Sequence, residues 1–181
     1  MSDPPLGYVN SCTQSLRFVV VRWHEQPLSD PPEMTELVII RGLPGTGKTA
    51  LAKKFIERGF IHFEANEFLI EDGVYIRSPA RVTAAHALCQ KAADLALMQG
   101  HKVVVSNTFV ELWEMAPYVA SAKAAHAEVT IIQTAGRSYA HYGASEQTVR
   151  KMRARWQQAP KDAMAILSAL RPGQRRSKTG T

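Results

Sequence analysis

From residue 37 onward, short mainly apolar runs alternate with longer stretches in which apolar residues recur every third or fourth position. The runs at 37–40, 60–63, 103–105 and 129–132 are too short for helices and lack in-out alternation, so they predict strands buried on both faces. Between 80 and 99, Val82, Ala85, Cys89, Ala92 and Ala96 fall at steps of three and four, which predicts an amphipathic helix ended by Gly100. Further helices are expected over 48–58, 112–125, 145–157 and 161–170. Strands separated by helices imply an α/β fold, a parallel sheet covered by helices on both faces. The chain has no internal repeat.

The alternation also sets the domain limits. Residues 1–33 hold Pro4, Pro5, Pro27, Pro31 and Pro32, with only 16–23 strand-like, and read as a loose extension. The domain proper is expected over 34–170, followed by a basic tail at 171–181, and Met34 marks a candidate start of translation. At 181 residues and 45% hydrophobic content the chain can bury one substantial core but is short for two. It contains neither a run of eighteen apolar residues nor a secretory leader, so a soluble cytoplasmic protein without membrane contact is expected. Cys12 and Cys89 are too few for a disulfide framework and lack metal-ligand spacing. Charge changes the picture in one place: residues 150–181 carry nine Lys or Arg against the single Asp162, while the rest is close to neutral. Such a patch suits a polyanion, or is a solvated face.

One motif carries chemistry by itself. Gly42-Leu43-Pro44-Gly45-Thr46-Gly47-Lys48-Thr49 has the spacing of a Walker A phosphate loop and lies between a predicted strand and a predicted helix. Glycines 42, 45 and 47 allow the backbone to turn its N–H groups inward, and the helix adds its positive end. Lys48 would reach the β and γ phosphates of ATP, and the Thr49 hydroxyl would join the coordination of Mg²⁺. The absence of an Asn-Lys-x-Asp motif and the small size favour a kinase over a GTPase or motor. Phosphoryl transfer also needs a carboxylate for the acceptor proton and mobile positive charge, which an open parallel sheet presents on the loops after its strands. Glu64 and Glu67 flank Asn66 after the second strand, Asn107 follows the third and is expected near the Mg²⁺ water shell, and Gly136-Arg137 follows the fourth as a short lid with a closing cation. Arg150, Arg153 and Arg155 on one predicted helix could bind phosphate or a nucleic-acid backbone, whereas His86 and His126 lack convergent ligands and read as structural.

Over residues 37–156 the chain resembles the polynucleotide kinase-like P-loop kinases, small phage and bacterial AAA-labelled members included. The likeness rests on Arg41 to Thr49, Gly73-x-Tyr75, Ala85-His86 with Cys89, Val104 to Phe109, Trp113 to Tyr118 and Met152-Arg153-x-Arg155-Trp156. It implies transfer of the ATP γ-phosphate to a nucleic-acid hydroxyl, either a polynucleotide 5′ end or, as in the similar phage enzymes, 5-hydroxymethyluracil within DNA. Such kinases carry a general-base Asp where this chain has Asn66 and a strand-end Asp where it has Asn107, and their His-Gly-Val-Pro element is Tyr142-Gly143-Ala144-Ser145 here. An amide cannot take a proton as a carboxylate does, which moves that task to Glu64 or Glu67. The alternatives are a nucleoside or other small-molecule kinase, and a nucleotide-dependent binding module without catalysis.

Overall fold

The computed structural model describes residues 34–136 and 144–169, all within one compact unit. Its centre is a four-stranded parallel sheet built from β1 (Glu36–Arg41), β2 (Ile61–Phe63), β5 (Val103–Asn107) and β6 (Glu128–Gln133). The spatial order is β2-β5-β1-β6, so β1 is central and pairs with β5 in the register Ile39↔Val105 and with β6 in the register Ile39↔Ile131.

Alternation along β1 and β5 sorts two cores. Leu37, Ile39, Val103 and Val105 face α2 (Pro79–Met98), α3 (Leu112–Ala124) and α5 (Ala165–Ala169), burying Cys89, Ala93, Leu97, Met115, Val119 and Ile166. Val38, Ile40 and Val104 face the other way, onto Ala52 of α1 (Lys48–Ile56) and Phe60. Helices therefore cover both faces, as the apolar runs require. The same alternation decides what the strand ends present: Arg41 and Asn107 fall on the α2–α3 side, and Ser106 on the opposite side.

Differences from the expected pattern lie at the ends. The helix expected over 48–58 stops at Ile56, just before Gly59 in the left-handed region (φ 86°). α4 (Glu146–Ala154) is shorter than the expected 145–157, and α5 starts four residues after 161, following a turn in which the Asp162 carboxylate accepts from Met164 N–H. Two features were not expected, a short 3-10 helix at Ala65–Leu69 and an antiparallel hairpin that β3 (Ile70–Glu71) and β4 (Val74–Tyr75) form through Asp72 (φ 50°) and Gly73 (φ 79°). Two positive φ values in a two-residue loop match the strand twist, which is why Asp-Gly is favoured there. Among the described residues no helix is long and apolar enough to cross a membrane. The 1–33 extension, the 171–181 tail and Arg137 of the expected lid lie outside the described residues.

Candidate phosphoryl-transfer site

The phosphate loop leaves β1 at the C-terminal edge of the sheet, between two neighbours that hold it. Gly42 N–H donates to the Thr108 carbonyl beyond β5, and Thr134 N–H donates to the Arg41 carbonyl from beyond β6. Gly42 must lack a side chain, because a Cβ there would collide with Thr134 Oγ1 and stand 2.5 Å from Thr46 Oγ1. Gly136, at the start of the expected lid, comes close to the loop: a Cβ on it would lie 3.0 Å from the Thr46 carbonyl oxygen.

α1 begins at Lys48 with Gly47 as its N-cap (φ 87°), with no capping side chain and no acid in its first turn. Its first N–H groups are thus left without a side-chain acceptor, and the positive helix end meets no competing carboxylate within the helix. Lys48 Nζ donates to the Leu43 carbonyl at 3.2 Å, folding the ammonium back over the loop. Burial lowers its pKa, opposed by the nearby Glu64 carboxylate. These features fit the phosphates of ATP: Lys48 and the loop amides would hold them, with the Thr49 hydroxyl available to Mg²⁺.

Glu64 is where the strand ends converge. Its Oε2 accepts from Thr49 Oγ1 at 2.9 Å and from Ser106 Oγ at 3.1 Å, while its Oε1 accepts from Asn66 Nδ2 at 3.1 Å. One carboxylate therefore has an oxygen toward the phosphate loop and another toward Asn66. Glu67, four residues from Phe63 and at the first turn of the short 3-10 helix Ala65–Leu69, is differently employed: it closes a capping box on Glu64 N–H and lies 3.2 Å from His62 Nδ1. The sequence reading passed over His62, whose Nε2 lies 2.8 Å from Ser106 Oγ. Strand alternation puts His62 and Glu64 on one side of β2, and that was the available signal.

Asn107 lines the cleft with Lys48 and Thr49, and its amide is engaged on both sides. Its Oδ1 accepts from Ala65 N–H at 3.0 Å and its Nδ2 donates to Cys89 Sγ at 3.5 Å, so the buried amide brackets the 3-10 turn against α2. Arg150, Arg153 and Arg155 are exposed, but the helix ends at Ala154, leaving Arg155 as its C-cap. Arg155 pairs with Glu111 at 3.2 Å, and Arg150 lies 3.7 Å from Glu146. His86, expected to be structural, lines the same cleft as the phosphate loop. That cleft, about 630 Å³, runs from Gly45, Lys48 and Thr49 past Glu64 and Asn66 to Tyr75 and Met152. Its size is that of a small-molecule site.

Behind the loop, Arg41 is fully buried, an unusual place for a guanidinium. Its NH2 donates to the Phe109 carbonyl at 2.6 Å and to the Val110 carbonyl at 3.2 Å, and the Trp156 ring covers it at 4.0 Å. Nε and NH1 have no partner, and desolvation lowers the pKa, opposed by Glu114.

Comparison with known proteins bears on the family and the fold. A family model described as an AAA domain matches residues 37–159, more than half of the chain. Human NEDD4-binding protein 2 is 34% identical over 88 residues, 46% of this chain but 5% of that protein. Among solved structures, a chain of the Pnkp1/Rnl/Hen1 complex has a TM-score of 0.50 at 19% identity, with 60% of this chain and 38% of that one covered. A gluconokinase from Sinorhizobium meliloti 1021 has a TM-score of 0.51 at 11% identity, covering 75% and 89%. At such identities the structural likeness establishes fold alone. This chain spans only a small part of the curated relative and well under half of the Pnkp1-complex chain. With the family match, the Walker A loop and a parallel sheet of kinase-like topology in agreement, the chain belongs to this AAA domain family and has the fold of the P-loop kinases, the group that its motifs resemble.

Proposed function

We propose that the protein is an ATP-dependent kinase that transfers the γ-phosphate to a hydroxyl group on nucleic acid. The observation that carries this reading is the division of Glu64 between two sides of one cleft, Oε2 toward Thr49 and Oε1 toward Asn66. A donor on the phosphate loop and an alcohol beside Asn66 would then meet across a single carboxylate. The motif resemblance supports a nucleic-acid alcohol in particular, and the basic residues from 150 onward supply charge of the right sign.

In this reading the loop amides and Lys48 bind the phosphates, and Mg²⁺ held at Thr49 would neutralise charge between the β and γ groups. Asn66 orients the acceptor hydroxyl with its amide. Glu64 Oε1 takes the proton as the oxygen attacks phosphorus and the bond to the β-phosphate oxygen breaks, releasing ADP. Arg137 would add cationic charge over the transferred group. Glu67 is less suited to the proton because it turns to His62 and to its capping bond, and Glu64, not Glu67, lines the cleft.

The test is transfer of labelled γ-phosphate from ATP to 5′-hydroxyl DNA and RNA, end-blocked DNA containing 5-hydroxymethyluracil, and free nucleosides. Label on an oligonucleotide, abolished by Lys48→Ala, is expected, and its position distinguishes a strand end from a base hydroxyl. Label confined to free nucleosides, or no label on any acceptor, would contradict the proposal.

A further inference from the structure

We infer that the β3–β4 hairpin carries the acceptor subsite, with Tyr75 as a stacking platform for the nucleobase next to the reacting hydroxyl. This rests on the kinase reading above and names the part of the acceptor that the cleft recognises.

The hairpin has little reason to display an aromatic ring for stability alone. Tyr75 is 51% exposed, on a strand of two residues, so its ring contributes only part of the burial a core aromatic would. It nevertheless lines the same cleft as the phosphate loop, beside Arg77, Val82, His86 and Met152. A chain of polar contacts leads from it to the chemistry. The Tyr75 hydroxyl lies 3.5 Å from Asn66 Oδ1, the Asn66 amide donates to Glu64 at 3.1 Å, and Glu64 accepts from Thr49 at 2.9 Å. An acceptor whose hydroxyl reaches Glu64 would therefore extend its remaining atoms over Tyr75.

The platform is held in place. Ile76 N–H donates to the Leu69 carbonyl at 2.9 Å, closing the hairpin onto the 3-10 turn that also carries Asn66. Arg81 in the first turn of α2 reaches Glu71 of β3 at 2.6 Å, and Ser78 caps that helix by accepting from Arg81 N–H. The tip is a two-residue turn with both φ values positive, the kind whose twist matches that of the flanking strands.

The lining selects a chemical class. An aromatic face, the apolar Val82 and Met152, and the cations Arg77 and Lys53 suit a flat ring attached to phosphodiester. Stacking is tolerant of base identity, so the subsite would require a base without strongly preferring one.

The experiment uses the full chain and two oligonucleotides that differ only at the 5′ terminus, one ending in thymidine and one in an abasic deoxyribose, each with a free 5′-hydroxyl. Removal of the base should raise the acceptor KM of the unmodified protein about tenfold, the size of one stacking contact. Tyr75→Ala should raise KM for the thymidine-ended strand by a similar factor and add little on the abasic strand, while Tyr75→Phe, which keeps the ring, should retain the difference between the two strands. KM for ATP should not move. Additive losses, an unchanged acceptor KM in Tyr75→Ala, or a change in KM for ATP that places adenine on the ring would each overturn the inference. The same pair of strands titrated by fluorescence anisotropy separates the two claims. Base- and Tyr75-dependent binding without transfer would uphold the platform and defeat the kinase reading. Transfer with binding indifferent to the base would do the reverse.

Discussion

Arg41 carries a guanidinium into the core immediately before the phosphate loop, with two of its nitrogens unpartnered and an indole over its face. Its methylenes and its bonds to the Phe109 and Val110 carbonyls tie β1 to the loop after β5. Arg41→Ala would leave a cavity beneath Trp156 and two buried carbonyls short of donors, and should cost about 3 kcal/mol in urea unfolding. Arg41→Met, which refills the volume and removes the unpartnered N–H groups, should cost roughly half that or less. Gly42→Ala is expected to break the Thr46–Thr134 contact of 2.7 Å and weaken nucleotide binding by tenfold or more, about 1.4 kcal/mol, in a titration with ATP. The glycine spacing made the loop legible from sequence, since a phosphate cradle admits few alternatives. Arg41 and Trp156 both carry the resemblance, but their contact was not legible, because they lie 115 positions apart and no local pattern links them.

At the level of elements, the strands and long helices were legible because burial on both faces writes continuous apolar runs and regular steps of three and four. The hairpin was not, although Asp72-Gly73 is its strongest local signal, because two-residue strands carry no periodicity and expose most of their side chains. Helix ends were set by tertiary features, such as the Arg155–Glu111 pair beyond Ala154, and so could not be read from propensity. α2 makes a pH prediction. Burial pushes the Cys89 thiol up, and Tyr118 beside it is likewise raised by burial. Both groups hold their protons more tightly in the folded chain than in the unfolded one. Their contribution to stability is thus fully present at neutral pH and declines once pH passes the ordinary thiol range of about 8.5, where the unfolded chain ionises first. Urea midpoints should fall from pH 7.5 to 10, and Cys89→Ala should flatten the early part of that fall.

For the whole molecule, the fold brings three separated stretches to one edge of the sheet: the loop at 42–49, the 64–75 segment and the end of β5. The first of these was evident from the sequence. Within the second, Glu64 and Glu67 could not be told apart until the sheet order placed Ser106 and Thr49 against Glu64 and His62 against Glu67. Charge is organised on the same scale, with a net +8 in residues 150–181. Affinity for a duplex should fall with salt at a slope near 0.9 per neutralised phosphate, and removal of residues 171–181 should reduce that slope. A flat salt response would detach the basic segment from nucleic acid.

Single-turnover transfer of the ATP γ-phosphate to a saturating oligonucleotide acceptor, compared between the unmodified chain and Glu64→Gln, tests the central claim most directly. The substituted amide keeps the size and an acceptor oxygen but cannot take the proton, so the rate should fall by roughly a hundredfold or more while ATP affinity changes little. Equal rates in the two proteins would contradict the role assigned to the carboxylate at which the donor and acceptor sides of the cleft meet.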